Sequence, residues 1–183
     1  MTDQELKDLV ASLAVDTQRM KAEAERRAQE TDRQIRELGK QIGGLGNKFG
    51  SFTEGITMPS VKQLLFDRFG VEDFMTRRRK RVGGKSVEIE ALGIVNGERN
   101  EAYIVEIKSH LRQDSVEQIL RLLEEFRSLF PEYADKKLYG VLAAADAGDE
   151  SIEAARKAGL YVVTFDDELM RFHDEDGFAA KAY

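Results

Sequence analysis

The run Ala102-Tyr103-Ile104-Val105-Glu106-Ile107-Lys108-Ser109 is built of strand formers and ends in two opposite charges two residues apart. Side chains alternate along a strand, so Glu106 and Lys108 project together while Val105 and Ile107 project to the other face. Charge left unpaired beside a core is costly, so a strand of this kind has a use for both groups. A second apolar strand precedes it, Val87 to Val95, with carboxylates at Glu88 and Glu90. Asn96-Gly97-Glu98-Arg99-Asn100 lies between them and has turn composition.

Two registers are open. A five-residue turn centred on Glu98 sets Glu90 opposite Glu106, Leu92 opposite Ile104 and Ile94 opposite Ala102, so two carboxylates and an ammonium share one face. A two-residue Asn96-Gly97 turn instead sets Glu90 against Tyr103 and sends it to the other face, unless a bulge repairs the alternation. The first register is preferred, because it offers both carboxylates to one metal ion.

The rest of the chain supplies layers for such a sheet. Residues 1 to about 42 are dense in helix formers and nearly free of Gly and Pro. Apolar or small residues recur at Leu9, Leu13, Met20, Ala24 and Ala28, and from Ile35 through Leu38, Ile42, Leu45 and Phe49 they follow a heptad seam. This predicts a long amphipathic helix that self-associates as a coiled coil; the alternative is a solvated arm. The glycines from Gly43 to Gly50 are expected to end or interrupt it. Ser51 or Thr53 then caps a second helix to about Phe69, with a kink or break near Met58 caused by Pro59. A strand from Val71 to Arg81 and a tight Gly83-Gly84 turn follow, which sets Arg79 opposite Glu88 and Arg77 opposite Glu90. After the central strand the pattern predicts a helix from Asp114 or Ser115 to Phe130, a buried strand over 138–144, a helix over 150–158, a buried strand over 160–165, and a short helix from Asp167 to Phe172. Antiparallel meander in front and helical crossovers behind make a mixed sheet flanked by helices.

Composition narrows the chemistry. The 183 residues contain no Cys and two His, which excludes disulfides, thiolate zinc and a His-rich metal site. No apolar run is long enough to span a membrane, and the first residues lack the layout of a signal peptide, so a cytoplasmic protein is expected. The net charge of −6 gives no global attraction to nucleic acid, but Arg77-Arg78-Arg79-Lys80-Arg81 is a local basic tract that suits phosphates. The same tract also reads as a solvated strand.

A helical acid (Glu54 in Phe52-Thr53-Glu54-Gly55), an acid on a hairpin strand (Glu90 in Glu88-Ile89-Glu90-Ala91-Leu92) and Val105-Glu106-Ile107-Lys108, in this order, resemble the PD-(D/E)XK nuclease superfamily. Its core is helix, three-strand meander, helix, strand. The likeness covers roughly residues 47 to 172. It is strongest to a bacterial branch in which a coiled coil precedes the nuclease-like domain; Leu45-Gly46-Asn47-Lys48-Phe49-Gly50 and Phe130-Pro131-Glu132-Tyr133-Ala134-Asp135 look like signatures of that branch. The resemblance implies an α/β, restriction-endonuclease-like domain over 47–183 behind a coiled-coil helix over 1–46. It implies Glu90, Glu106 and the carbonyl of Ile107 as ligands of a divalent cation, Lys108 as the group that orients or acidifies the attacking water, and Glu54 as a supporting acid. Glu90 stands where the superfamily usually has Asp, one methylene shorter.

The donor chemistry points the same way, since hard oxygen ligands without His or Cys select Mg²⁺ or Mn²⁺ for phosphodiester hydrolysis. Other readings of the same residues stand beside this one. Glu88 and Glu90 make a cross-strand salt ladder with Arg79 and Arg77; Glu106 and Lys108 pair with each other; Glu54 complements a helix start. His110 and Gln118 lie near the site in sequence; His110 reads as an exposed loop histidine rather than a phosphate contact, and Gln118, which faces the cleft in some of these nucleases, reads equally as solvated. The two functions in play are a metal-dependent nuclease acting on DNA or RNA, and a non-catalytic nuclease-fold scaffold or nucleic-acid-binding module that oligomerises through its N-terminal helix.

Overall fold

The computed structural model describes residues 2–167, 169–174 and 178–183. Its elements are α1 (Asp3–Phe69), β1 (Asp73–Val82), β2 (Lys85–Val95), β3 (Glu101–Leu111), α2 (Gln113–Leu129), a 3₁₀ turn (Pro131–Tyr133), β4 (Lys137–Ala147), α3 (Asp149–Lys157), β5 (Tyr161–Asp166) and β6 (Leu169–Phe172). Contacts divide the chain into Met1–Lys48 and Phe49–Tyr183. Among the described residues no helix is long and apolar enough to cross a membrane.

The first unit is helical and its ion pairs, Arg27–Glu23 and Arg33–Glu30, are exposed ones that contribute little. Leu13, Met20, Ile35, Leu38, Ile42 and Leu45 are all exposed. The side chain of Leu9, the first position of the expected seam, lies outside the described residues. The expected stop within Gly43–Gly50 does not occur, and α1 also continues past Pro59. A mid-helix glycine costs only about 1 kcal/mol relative to alanine. A mid-helix proline crowds the carbonyl four residues back, and here that residue is Gly55, which has the freest backbone.

The second unit is a six-stranded sheet in the order β1-β2-β3-β4-β5-β6. β1, β2 and β3 form an antiparallel meander, β3, β4 and β5 run parallel through helical crossovers, and β6 returns antiparallel to β5. The mixed sheet flanked by helices is the architecture expected from the sequence. The expected last helix is instead β6: Met170 is buried while Leu169 is exposed, a period of two, and Asp167 with φ +55° turns the chain back. Glu168, inside that expected helix, lies outside the described residues.

Two apolar layers cover the sheet. Val61, Leu65 and Phe69 of α1 pack with Tyr103, Val105, Ile107 and Val141 on one face. Val116, Ile119, Leu123 and Phe126 of α2 pack with Ile104, Leu138, Leu142 and Leu160 on the other. Both hairpin registers are the ones preferred above: Arg79 pairs with Glu88, and Leu92 pairs with Ile104. The five-residue turn is held by Lys136, buried, whose Nζ donates to the Val95 carbonyl (3.2 Å), Asn96 Oδ1 (3.1 Å) and Asn100 Oδ1 (2.9 Å).

The sheet is not continuous. Pairing of β2 with β3 ends at Ala91–Val105, one step short of the expected Glu90–Glu106 pair. Beyond it β2 pairs only with β1, and β3 only with β4. The alternation of β2 also breaks there. Val87, Ile89, Leu92 and Ile94 all face the α2 layer, so Glu90 and Ala91 both fall between inward positions where one residue is the rule. Opposite, Arg77 has φ +50°, a left-handed backbone on a non-glycine residue, and the expected Arg77–Glu90 pair is not formed. The β1–β2 hairpin thus leaves the sheet as an arm, and a wedge opens between β2 and β3.

Candidate active site

The wedge holds a cavity of about 450 Å³ lined by Ser51 and Glu54 of α1, Arg77 and Arg79 of β1, Glu88 and Glu90 of β2, Glu106 and Lys108 of β3, and Gln118 of α2. The sequence placed Glu90 and Glu106 together by strand alternation. They meet by another route, because Glu90 enters where the strands part.

Glu90 reaches across the gap and its Oε2 accepts the backbone N–H of Ile107, a group with no β2 partner at that level. In an extended strand the N–H and C=O of one residue leave on the same side, so the Ile107 carbonyl is directed at the wedge too. Burial, reinforced by the charge of Glu106, pushes the Glu90 carboxyl up to about 8, against the opposing Ile107 hydrogen bond and Lys108 charge.

Glu106 is buried, and one of its oxygens takes both neighbours: Oε1 accepts from Lys108 Nζ at 2.6 Å and from Gln118 Nε2 at 2.8 Å. Oε2 has no protein donor among the described residues. Lys108 is half-buried and, through Glu106, fixed in orientation. Sequence reasoning left Gln118 unassigned; its signal was its place one helical turn after the buried Ser115, on the α2 face turned to β3. On the α1 side, Ser109 Oγ donates to Thr53 Oγ1 at 3.0 Å and ties the helix that carries Glu54 to β3. Glu54 Oε2 is 3.3 Å from Arg77 Nη2.

The basic tract divides by parity. Arg77 and Arg79 line the cavity, the second paired with Glu88 at 2.9 Å. Arg78 and Lys80 turn to the opposite layer, where both bind Glu132 (2.7 and 3.2 Å) and lie over the Phe130 ring; Arg78 also donates to the Tyr133 hydroxyl at 3.0 Å. The Phe130-Pro131-Glu132-Tyr133 segment is therefore the clasp of the arm. Arg81 is exposed at its far end.

Among the described residues no group of three or more His, Asp and Glu side chains gathers into a complete cage for a metal ion. The wedge fits a less demanding set. Glu90, Glu106 Oε2 and the Ile107 carbonyl are hard oxygen donors, and a cation among them would favour the ionised form of Glu90 that burial and Glu106 oppose. Mg²⁺ commonly takes only one or two carboxylates and keeps several waters.

Residues 71–172 match the family described as "Domain of unknown function (DUF8196)". No curated protein matches the sequence. Among solved structures, a repair endonuclease from Pyrococcus abyssi is similar at 18% identity and TM-score 0.40, over 60% of this chain and 46% of that one. The EndoMS–dsDNA2 complex is similar at 21% identity and TM-score 0.39, over 61% of this chain and 45% of that one. EndoMS in its apo form gives 19% identity and TM-score 0.35 over 58% and 45%. The chain spans less than half the length of each.

Proposed function

We propose that this chain, which belongs to the DUF8196 family, is a divalent-metal-dependent nuclease of the PD-(D/E)XK kind that hydrolyses phosphodiester bonds of DNA or RNA. The observation that supports it most is the convergence of Glu90, Glu106 and Lys108 on one cavity where β2 and β3 part. Glu90, Glu106 and the Ile107 carbonyl would hold Mg²⁺ or Mn²⁺, and the ion, when bound, supplies Lewis-acid stabilisation of charge on the phosphate oxygens.

The protein's own groups do the rest. Glu106 fixes the Lys108 ammonium, so a water beside Nζ meets a donor of set direction and a positive charge next to the phosphate. Gln118 keeps Glu106 from rotating toward Lys108 with both oxygens. Arg77 and Arg79 are paired only with half-exposed acids, Glu54 and Glu88, and such pairs exchange readily for a phosphate. Of the remaining tract members, Arg78 and Lys80 hold the arm through Glu132 and contribute to nucleic acid binding by position, and the exposed Arg81 is open to a phosphate at the end of the arm.

The test is cleavage of plasmid, duplex and single-stranded substrates by purified protein with Mg²⁺ or Mn²⁺ and with EDTA. Cleavage that needs the ion and disappears in Glu106→Gln supports the reading. Cleavage that survives unchanged in the variant belongs to a contaminant and sinks it.

A division of labour is part of the proposal: residues 47–183 carry the chemistry and 1–46 assemble copies, both in the cytoplasm. Ile35, Leu38, Ile42 and Leu45 support the second role, since they keep heptad spacing and are each more than half exposed, at 57–68%. Light scattering should give more than one copy for the native chain and one for Leu38→Glu/Ile42→Glu; a native monomer removes the coiled coil.

A further inference from the structure

The cavity of the proposed centre is not closed at Lys108 and Gln118. Both residues also line a neighbouring recess of about 520 Å³ at the corner where β3 passes into α2. Its remaining charged wall is His110, Arg112, Asp114 and Arg121.

The cations of this corner differ in their commitments. Lys108 is bound to Glu106, and His110 Nδ1 is paired with Asp146. The Arg112 guanidinium donates no hydrogen bond and makes no ion pair among the described residues. Arg121 gives only its Nε, to the Glu117 carbonyl at 3.3 Å, which leaves the fork of its two amino groups open. The one carboxylate in the wall, Asp114, accepts from Ser115 Oγ at 3.3 Å and binds neither arginine. In a chain of net charge −6, where Arg77, Arg78 and Arg79 all have carboxylate partners, two uncommitted guanidiniums beside one recess call for an anion from outside. Guanidinium forks match phosphate oxygens in geometry and charge.

We propose that Arg112 and Arg121 form a phosphate subsite which holds the phosphodiester next to the one over Glu106, so that a nucleic-acid strand crosses the wedge from the arm to α2. Arg77 and Arg79 meet it on one side of the acidic centre, and Arg112 and Arg121 on the other. Positive groups on both flanks offset the repulsion that the ionised carboxylates of the cavity would exert on a polyanion. The subsite rests on the nucleolytic reading for which bond is cut, and not for the binding itself.

Binding without chemistry separates the two. Fluorescence anisotropy of labelled single-stranded and duplex DNA and RNA is measured in EDTA across a salt series for the native chain, Arg112→Ala, Arg121→Ala, and Arg171→Ala as a control. Arg171 pairs with Asp166 near β6, away from the wedge. Each corner variant should weaken binding and lower the slope of log affinity against log salt by about 0.7 to 1, the share of one phosphate contact, while the control keeps the native slope. Arg112 and Arg121 are both exposed, so unchanged melting temperatures are expected. Native slopes in both corner variants, or no binding by the native chain to any of the four probes, overturn the subsite. Slopes that fall as expected in a protein that never cuts retain the subsite and remove the hydrolytic reading.

Discussion

Lys108→Met is expected to lower metal-dependent cleavage about 10²–10³-fold, the usual loss when one fixed electrostatic group is removed from a reacting centre. The ammonium is held 2.6 Å from Glu106 Oε1 and sits on the cavity wall, so on the proposed reading it would meet a phosphate already oriented. Its removal has a second effect. Glu106 is buried and keeps only Gln118, so part of its charge is left without compensation and the fold is weakened. Glu106→Gln/Lys108→Met removes both charges, and should melt closer to the native protein while staying inactive. Single-turnover cleavage and a thermal melt on each protein check this. A Lys108→Met protein that cuts within about threefold of the native rate places the lysine outside the chemistry.

The stability of the metal-free protein should fall as pH rises from about 5 to about 8. Glu90 in the folded chain is held up to about 8, while an ordinary glutamate in the unfolded chain titrates at 4.5. Between those values the native state binds the extra proton, so each unit of pH favours unfolding by at most about 1.4 kcal/mol. Glu90→Gln, which keeps the shape without the charge, should flatten the dependence and stand above the native protein at the alkaline end. A divalent cation bound as proposed would reverse the preference, because it would bind the ionised acid; Mg²⁺ should then raise the melting temperature more at pH 8 than at pH 6. Melts in EDTA and in Mg²⁺ at several pH values test both parts. Parallel curves for the native chain and Glu90→Gln in EDTA would show that the half-buried acid carries no such linkage.

What the sequence made legible was local and periodic. Gly83-Gly84 carries its own turn chemistry, with φ of +57° and +83°, and the β1–β2 register followed; Asn96 to Asn100, with φ +68° at Gly97, left two registers open, and the one formed was preferred only because it offered both carboxylates to one ion. The order of strands and crossover helices came from the change of period. The break at Arg77 and Glu90 had no such mark, since Arg77 is one of five consecutive basic residues and nothing in its neighbours asks for a left-handed backbone. The course of α1 was misread for the opposite reason: glycine and proline signals are strong, yet a glycine costs only about 1 kcal/mol and even the proline's cost of about 3 kcal/mol is absorbed by this long helix. Lys108 beside Glu106 was visible from a spacing of two, whereas Gln118 required knowing which face of α2 meets the sheet.

The parting of β2 from β3 also bears on the choice of acid at position 90. Bridging two strands that have drifted out of ladder range is a matter of span, and glutamate is the longer of the two natural carboxylates. An aspartate there would stop one carbon short of the Ile107 amide and leave it bare inside the gap. The extra methylene is thus a fit to a wider opening.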